Sequence, residues 1–212
     1  MYIDYIQPLS EEFIQKNQYD VNWSKISQFQ KLNEKFIEKN QYNVNWINIS
    51  GYQELSEDFI REFEDKVSWI NISKSQKLNE NFIREFQNKV RWDYISEYQI
   101  LSENFIREFQ HKVYWFYISY SQKLSENFIR EFKDKVDWDN ISANQNLNIN
   151  FIEEFQDKVN LFELLFKLGY TGLKISNEKY SIIVNENYHL DDLSFSEFKK
   201  IALKLISLKA FQ

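Results

Sequence analysis

The sequence contains no cysteine, so neither a disulfide nor a thiolate zinc site is available to it, and a cytoplasmic location is compatible with that choice. Proline occurs once and glycine three times. A chain so poor in turn residues is ill suited to a β-rich fold and suits helices joined by short links. His111 and His189 are the only histidines, and the sequence holds no His–His pair at metal-ligand spacing. No Walker motif, GxGxxG, HExxH or Ser/His/Asp order is present, so no enzyme class, cofactor or metal is indicated. No apolar run approaches the ~18 residues of a membrane span. The N-terminal stretch MYIDYIQPLSEEF also lacks the basic and apolar regions of a signal peptide.

What is present is unusual. Of the 212 residues, 43% are hydrophobic and 18% aromatic, ample for a core. The net charge of −6 argues against a broad basic surface of the kind that binds nucleic acid.

The six tryptophans are Trp23, Trp46, Trp69, Trp92, Trp115 and Trp138, each 23 residues after the last. Leu9, Leu32, Leu55 and their successors keep the same step, as do Phe13, Phe36, Phe59 and Val21, Val44, Val67. Uniform spacing in several columns at once is the signature of a repeat architecture. Each unit divides into two short amphipathic pieces. In the first, Phe105, Ile106, Phe109 and Val113 form one helical stripe. Ser102 precedes it as an N-cap, with Ser10, Asn33, Ser56, Asn79, Ser125 and Asn148 in the same column. In the second, Trp138 and Ile141 share a face behind Asp137, with Asn22, Asn45 and Ser68 as further caps; Arg91 and Tyr114 break that column.

One unit buries too little to stand alone. Its roughly seven apolar side chains contribute at most about 10–20 kcal/mol, against about 1–2 kcal/mol per ordered backbone residue. Neighbouring units must therefore stack. The expected fold is all-α: an α-solenoid of about six two-helix repeats over residues 1–159, with residues 160–212 as a small C-terminal cap or effector module. Ile3 and Leu9 are expected to start the stack as a partial unit. Asn17 and Asn40 replace the second Phe of the first two units while Tyr19 and Tyr42 follow two places later, as if the aromatic had moved. The repeat pattern ends at Val159. LFELLFKLG then reads as a short helix stopped by Gly169, KYSIIVNENY as strand-like, and SFSEFKKIALKLISL as a helix capped by Ser194.

Two charge ladders run through the repeats. Arg61, Arg84, Arg107 and Arg130 form one, and Lys66, Lys89, Lys112, Lys135 and Lys158 the other. They would suit a phosphate backbone, but each also has a glutamate four residues before it, as in Glu80–Arg84 and Glu85–Lys89, the spacing of an intrahelical pair. The tryptophans are expected in the core rather than as a base-stacking platform. Asp191 and Asp192 beside His189 read as a polar turn leading into the last helix.

More telling is what changes between copies. The column after Trp reads Ser24, Ile47, Ile70, Asp93, Phe116, Asp139; four residues on it reads Gln28, Gly51, Lys74, Glu97, Tyr120, Ala143. Tyr94, Tyr98, Tyr117 and Phe29 adjoin them. Ile47, Ile70, Tyr94, Tyr98, Phe116, Tyr117 and Tyr120 thus form a candidate partner-binding face.

The motif W-x-x-I-S-x-x-Q-x-L-S-E-x-F-I-x-E-F, seen best in Trp92–Phe109, resembles a short helical repeat of giant-virus, phage and AT-rich bacterial proteins. The resemblance covers roughly residues 1–159 and implies a helical array of viral or mobile-element origin; the family has no settled catalytic residues or activity, so none carries over to this sequence. The expectation is a non-enzymatic, cytoplasmic protein-binding scaffold. Its sharper form is a phage or viral inhibitor docking on a host defence protein such as a CRISPR effector. The alternative is RNA binding through Arg61, Arg84, Arg107 and Arg130.

Overall fold

A computed structural model describes residues 3–176, 179–185 and 188–210. The chain divides into two compact units, Met1–Val113 and Tyr114–Gln212. Both are built from the same helix pairs.

The first unit contains α1 (Glu11–Lys16), α2 (Trp23–Phe29), α3 (Glu34–Lys39), α4 (Trp46–Tyr52), α5 (Glu57–Glu62), α6 (Trp69–Ser75), α7 (Glu80–Glu85), α8 (Trp92–Tyr98) and α9 (Glu103–Glu108). Helices of six or seven residues are below the length at which a helix holds in water. Caps and packing must supply what propensity does not. Every odd-numbered helix here begins on the expected Ser or Asn, whose side chain accepts a hydrogen bond from the Phe amide three residues on, as in Phe59 N to Ser56 Oγ at 3.1 Å. The even helices are less uniform. Asn22 and Asn45 cap α2 and α4. Ser68, expected to do the same, makes no side-chain cap bond, and neither do Arg91 and Tyr114.

The even helices α2, α4, α6 and α8 pack side by side in sequence order. Beneath them lies a spine of Ile and Phe: Ile49, Ile60, Ile72, Phe82, Ile83, Ile95, Phe105 and Ile106 have no accessible surface. The tryptophans sit at the edge of this core, half-buried rather than within it. Trp69 lies 4.8 Å from Phe86 and 6.2 Å from Phe82 between ring centroids, and Lys89 Nζ lies 5.8 Å from its ring. Its indole N–H donates to Glu64 O at 3.0 Å.

In the first two repeats the aromatic has not moved inward from Asn to Tyr. Tyr19 and Tyr42 are 93% and 89% exposed. The Phe slot is filled by asparagine itself: Asn40 is buried, and its amide donates to Phe36 O at 3.0 Å. Asn17 does the same to Phe13 O at 2.8 Å. A side chain that hydrogen-bonds the last turn of its own helix takes the place of a ring that packs on tryptophan.

The second unit contains α10 (Trp115–Ser121), α11 (Glu126–Glu131), α12 (Trp138–Asn144), α13 (Ile149–Glu154), α14 (Leu161–Lys167), three strands and α15 (Phe195–Ala210). The pattern runs past Val159. Leu161, Leu164, Leu165 and Leu168 stand 23 residues after Trp138, Ile141, Ser142 and Gln145, so α14 is one more even helix with its polar columns turned apolar. Gly169, at φ 85°, ends it. The strands β1 (Thr171–Ser176), β2 (Lys179–Asn185) and β3 (Tyr188–Leu193) form an antiparallel meander in chain order. Asp191 and Asp192 therefore lie in a strand, not in a turn entering the helix. The side chains of His189, Asp191 and Asp192 fall outside the described residues.

Helix α15 starts from a capping box, with Ser194 N donating to Glu197 Oε2 at 2.9 Å. Its Phe198, Ala202 and Ile206 are buried with Leu161, Leu164, Leu165 and Ile182, and Phe162, Phe198 and Tyr180 stack in a row. An array needs such a cover wherever its last hydrophobic face would meet water.

Candidate functional site

The columns that do not vary between copies face inward and are partly polar. Gln30, Gln53, Gln76, Gln99, Gln122 and Gln145 are buried, as are Ser27, Ser50, Ser73, Ser96, Ser119 and Ser142. Gln76 Nε2 donates to Ser50 O at 2.9 Å and to Gln53 O at 2.8 Å, both in the preceding repeat, and its Oε1 accepts from Leu55 N at 3.1 Å. Gln53 and Gln99 make the same three bonds one repeat earlier and later. Each glutamine thus satisfies backbone groups left open where an even helix ends. The serines work forward. Ser50 Oγ donates to Trp46 O at 2.6 Å and accepts from Ser68 N, in the next repeat, at 2.9 Å. That bond occupies the amide at the start of α6, where Ser68 itself makes no cap. Among the described residues no buried side-chain nitrogen or oxygen lacks a partner.

Both ends of the ladder are adapted. At the start, Gln7 and Leu9 stand one period before Gln30 and Leu32: Gln30 bonds Leu9 N and Gln7 O as later glutamines do, Tyr5 O replaces the serine carbonyl, and the Tyr5 hydroxyl accepts from Asn22 N at 2.8 Å in place of a serine. Leu9 thus belongs to a partial unit, with Tyr5 and Gln7 as its other contacts. At the other end Leu168 replaces the glutamine, and Lys167 Nζ donates to Gln145 O at 2.6 Å instead. Desolvation at that position lowers the Lys167 pKa.

The cation ladders are tied across repeats more closely than to the glutamates four residues before them. Arg61 Nε meets Glu85 at 2.8 Å, against 3.9 Å for Glu57, while its Nη1 meets Asp58 of the same helix at 2.8 Å. Arg84 meets Glu108 at 2.8 Å and Glu80 at 3.7 Å; Arg130 meets Glu154 at 2.8 Å. Arg107 lies 3.6 Å from Glu103. Lys89 likewise reaches back to Glu64 at 3.1 Å rather than to Glu85. The hydrogen bond to Glu85 raises the Arg61 pKa. Glu57 Oε1 meanwhile accepts from Asn79 N at 2.7 Å, so the acid of the expected pair serves the next helix start.

The varying columns face outward on the even helices. In the first unit Ile47 is 63% exposed and Ile70 47%, with Tyr98 at 46% and the neighbouring Tyr52 at 61%. Tyr94 is half-buried, its ring 6.0 Å from that of Tyr98. Tyr52, in the column of Phe29 and Tyr98, belongs to the same surface but was not among the residues singled out by sequence; its column position was the available signal. Partial burial pushes the Asp93 carboxyl up, but bonds from Arg91 and the Tyr94 backbone outweigh this and leave it below the ordinary carboxylate range. In the second unit Phe116 and Tyr120 of α10 are exposed by more than half, and half-buried Tyr117 meets Phe116 edge-on at 5.4 Å.

Among the described residues no group of three His, Asp or Glu side chains is placed to hold a metal ion, and no helix is long and apolar enough to cross a membrane. Comparison with protein-family models, curated proteins and solved structures finds no match.

Proposed function

We propose that this protein is a non-catalytic scaffold that binds a protein partner through the outward face of its even helices. One observation carries the reading: the Ile, Ser and Gln columns that face inward on the even helices from α2 to α12 are constant from copy to copy, while the outward columns change and yet expose Ile47, Tyr52, Ile70, Tyr98, Phe116 and Tyr120. Exposed apolar and aromatic side chains grouped on one face are the usual mark of a contact surface. Within each unit, repeats that hold the next give such a face a fixed spacing.

The narrower form of the reading is a phage or viral inhibitor acting on a host defence protein. It rests on the repeat resemblance and on the lack of any catalytic constellation in the sequence. Affinity purification with mass spectrometry, comparing the wild type with a Phe116→Asp/Tyr120→Asp variant of unchanged helicity, tests both. Loss of a specific protein from the variant supports the scaffold, and a defence protein as the lost species supports the narrower form. Recovery of the same proteins by both sinks the assignment of the face.

Binding of RNA through the arginine column has less behind it. A phosphate would have to displace the carboxylates that Arg61, Arg84 and Arg130 already hold. That reading requires binding that weakens steeply with salt.

A further inference from the structure

We propose that the occupant of the outward face in the first unit is an acidic protein segment bearing apolar side chains, which meet Ile47, Tyr52 and Ile70; the inference rests on the scaffold reading and gives it a partner chemistry. The chain as a whole carries −6, yet this edge of the first unit is lysine-rich. Lys31, Lys74 and Lys77 are exposed, and among the described residues none of them forms a salt bridge. The contrast with Arg61, Arg84 and Lys89, each held by a carboxylate of another repeat, is direct. Lys74 Nζ instead lies 5.6 Å from the Tyr98 ring and 5.9 Å from that of Tyr94. An ammonium parked on aromatic rings keeps its charge available to an incoming carboxylate. Of the carboxylates on this face, Asp93 is already paired with Arg91 at 2.8 Å, and Glu54 and Glu97 remain against the three lysines.

The apolar part has its own contacts on the exposed Ile47, Tyr52 and Ile70. Beside them a mainly polar trough of about 390 Å³, lined by Gln53, Glu54, Ser75, Gln76 and Lys77 with Tyr52 and Leu55, leaves room for polar groups of the segment next to Lys77. Ile47 and Ile70 stand exposed in the first turns of α4 and α6, and Tyr52 at the C-terminal end of α4. Leu- or Phe-sized side chains laid on them would leave carboxylates of the same segment within reach of Lys74 and Lys77. Single-stranded nucleic acid suits the face less well. Tyr52 and Tyr98 offer rings, but Ile47 and Ile70 on the same face offer aliphatic surface that suits an apolar side chain better than a stacked base.

The test is selection from a short-peptide display library on the immobilised full chain, repeated on Lys74→Glu/Lys77→Glu and on Ile47→Asp/Ile70→Asp variants of unchanged circular dichroism. A fluorescent oligo-U probe is titrated in parallel. The expected peptides combine Asp or Glu with Leu, Phe or Trp, weaken about tenfold or more on the lysine variant and with added salt, and fail on the isoleucine variant. Neutral or basic peptides lost only on the isoleucine variant would overturn the acidic partner and leave the scaffold standing. No selected peptide, or peptides indifferent to both variants, would overturn both, and oligo-U binding abolished by the lysine variant would replace the protein segment with a nucleic acid.

Discussion

The side-chain amide of Gln76 lies 2.8 Å from the carbonyl oxygen of Gln53, the residue in the same column one repeat earlier. Gln53 stands in the same relation to Gln30, and Gln99 to Gln76. A polar ladder therefore runs through the first unit beside its Phe and Ile spine. Its energetic weight is asymmetric. Each bond contributes modestly, but a missing glutamine leaves two carbonyls and one amide buried without partners.

Replacing Gln76 by alanine is accordingly expected to destabilise the protein by about 2–4 kcal/mol, more than an exposed Gln on a helix would. Urea unfolding followed by circular dichroism measures it, and a loss below about 0.5 kcal/mol would mean that water replaces the amide without penalty.

The ladder also fixes what can be removed. Deleting residues 57–79, one whole period, joins Ser56 to Glu80 and brings Gln99 into the register of Gln76. The shortened chain is expected to fold, less stable by one repeat and its interface. Deleting residues 57–76 instead, which breaks the period, is expected to abolish cooperative unfolding. Thermal melts of the two chains make the comparison, and equal behaviour would contradict it.

Asn40 occupies a slot held by Phe63, Phe86 and Phe109 in later repeats. Trp46 stacks on both Phe59 and Phe63, whereas Trp23 has Phe36 as its ring partner. Asn40→Phe is expected to stabilise the first unit by about 0.5–1.5 kcal/mol through the added aromatic contact. A lower unfolding midpoint would show instead that the Asn40 bond to Phe36 O matters more.

Much of this organisation was legible in the sequence. The 23-residue period, the two helices per unit, the Ser and Asn caps of the odd helices and the outward placement of Ile47, Ile70 and Tyr98 all follow from spacing alone. The Ser and Gln columns do not, because a search for apolar periodicity treats a polar residue as a surface one. Their constancy in all six copies, beside columns that change freely, was the signal. Partners across repeats were also hidden. Glu80 and Arg84 are four residues apart, but the closer acid to Arg84 is Glu108, twenty-four residues away and brought near only by stacking. LFELLFKLG was legible as a helix, but not as one more even helix of the pattern, because Leu161 replaces Trp and Leu168 replaces Gln.

One ionisation reports on that stacking in the second unit. Lys158 Nζ bonds the Asp134 carboxylate at 2.9 Å across one repeat and holds its pKa below the usual value. A depressed carboxylate contributes fully above its unfolded pKa of about 3.9 and loses that contribution as the pH falls through the lower folded value. A carboxyl-carbon NMR titration is expected to place the Asp134 midpoint below about 3.9, and Lys158→Gln to move it up. A midpoint unchanged by that substitution would mean the two groups do not meet.

The division of labour between inward and outward columns is tested most directly by comparing the unfolding free energies of Gln76→Ala and Ile70→Asp, two substitutions on or just after α6. The account predicts a loss of about 2–4 kcal/mol for the first and within about 0.5 kcal/mol of wild type for the second. A large loss for Ile70→Asp with a small one for Gln76→Ala would mean that the outward face holds the array together and is not free to hold anything else.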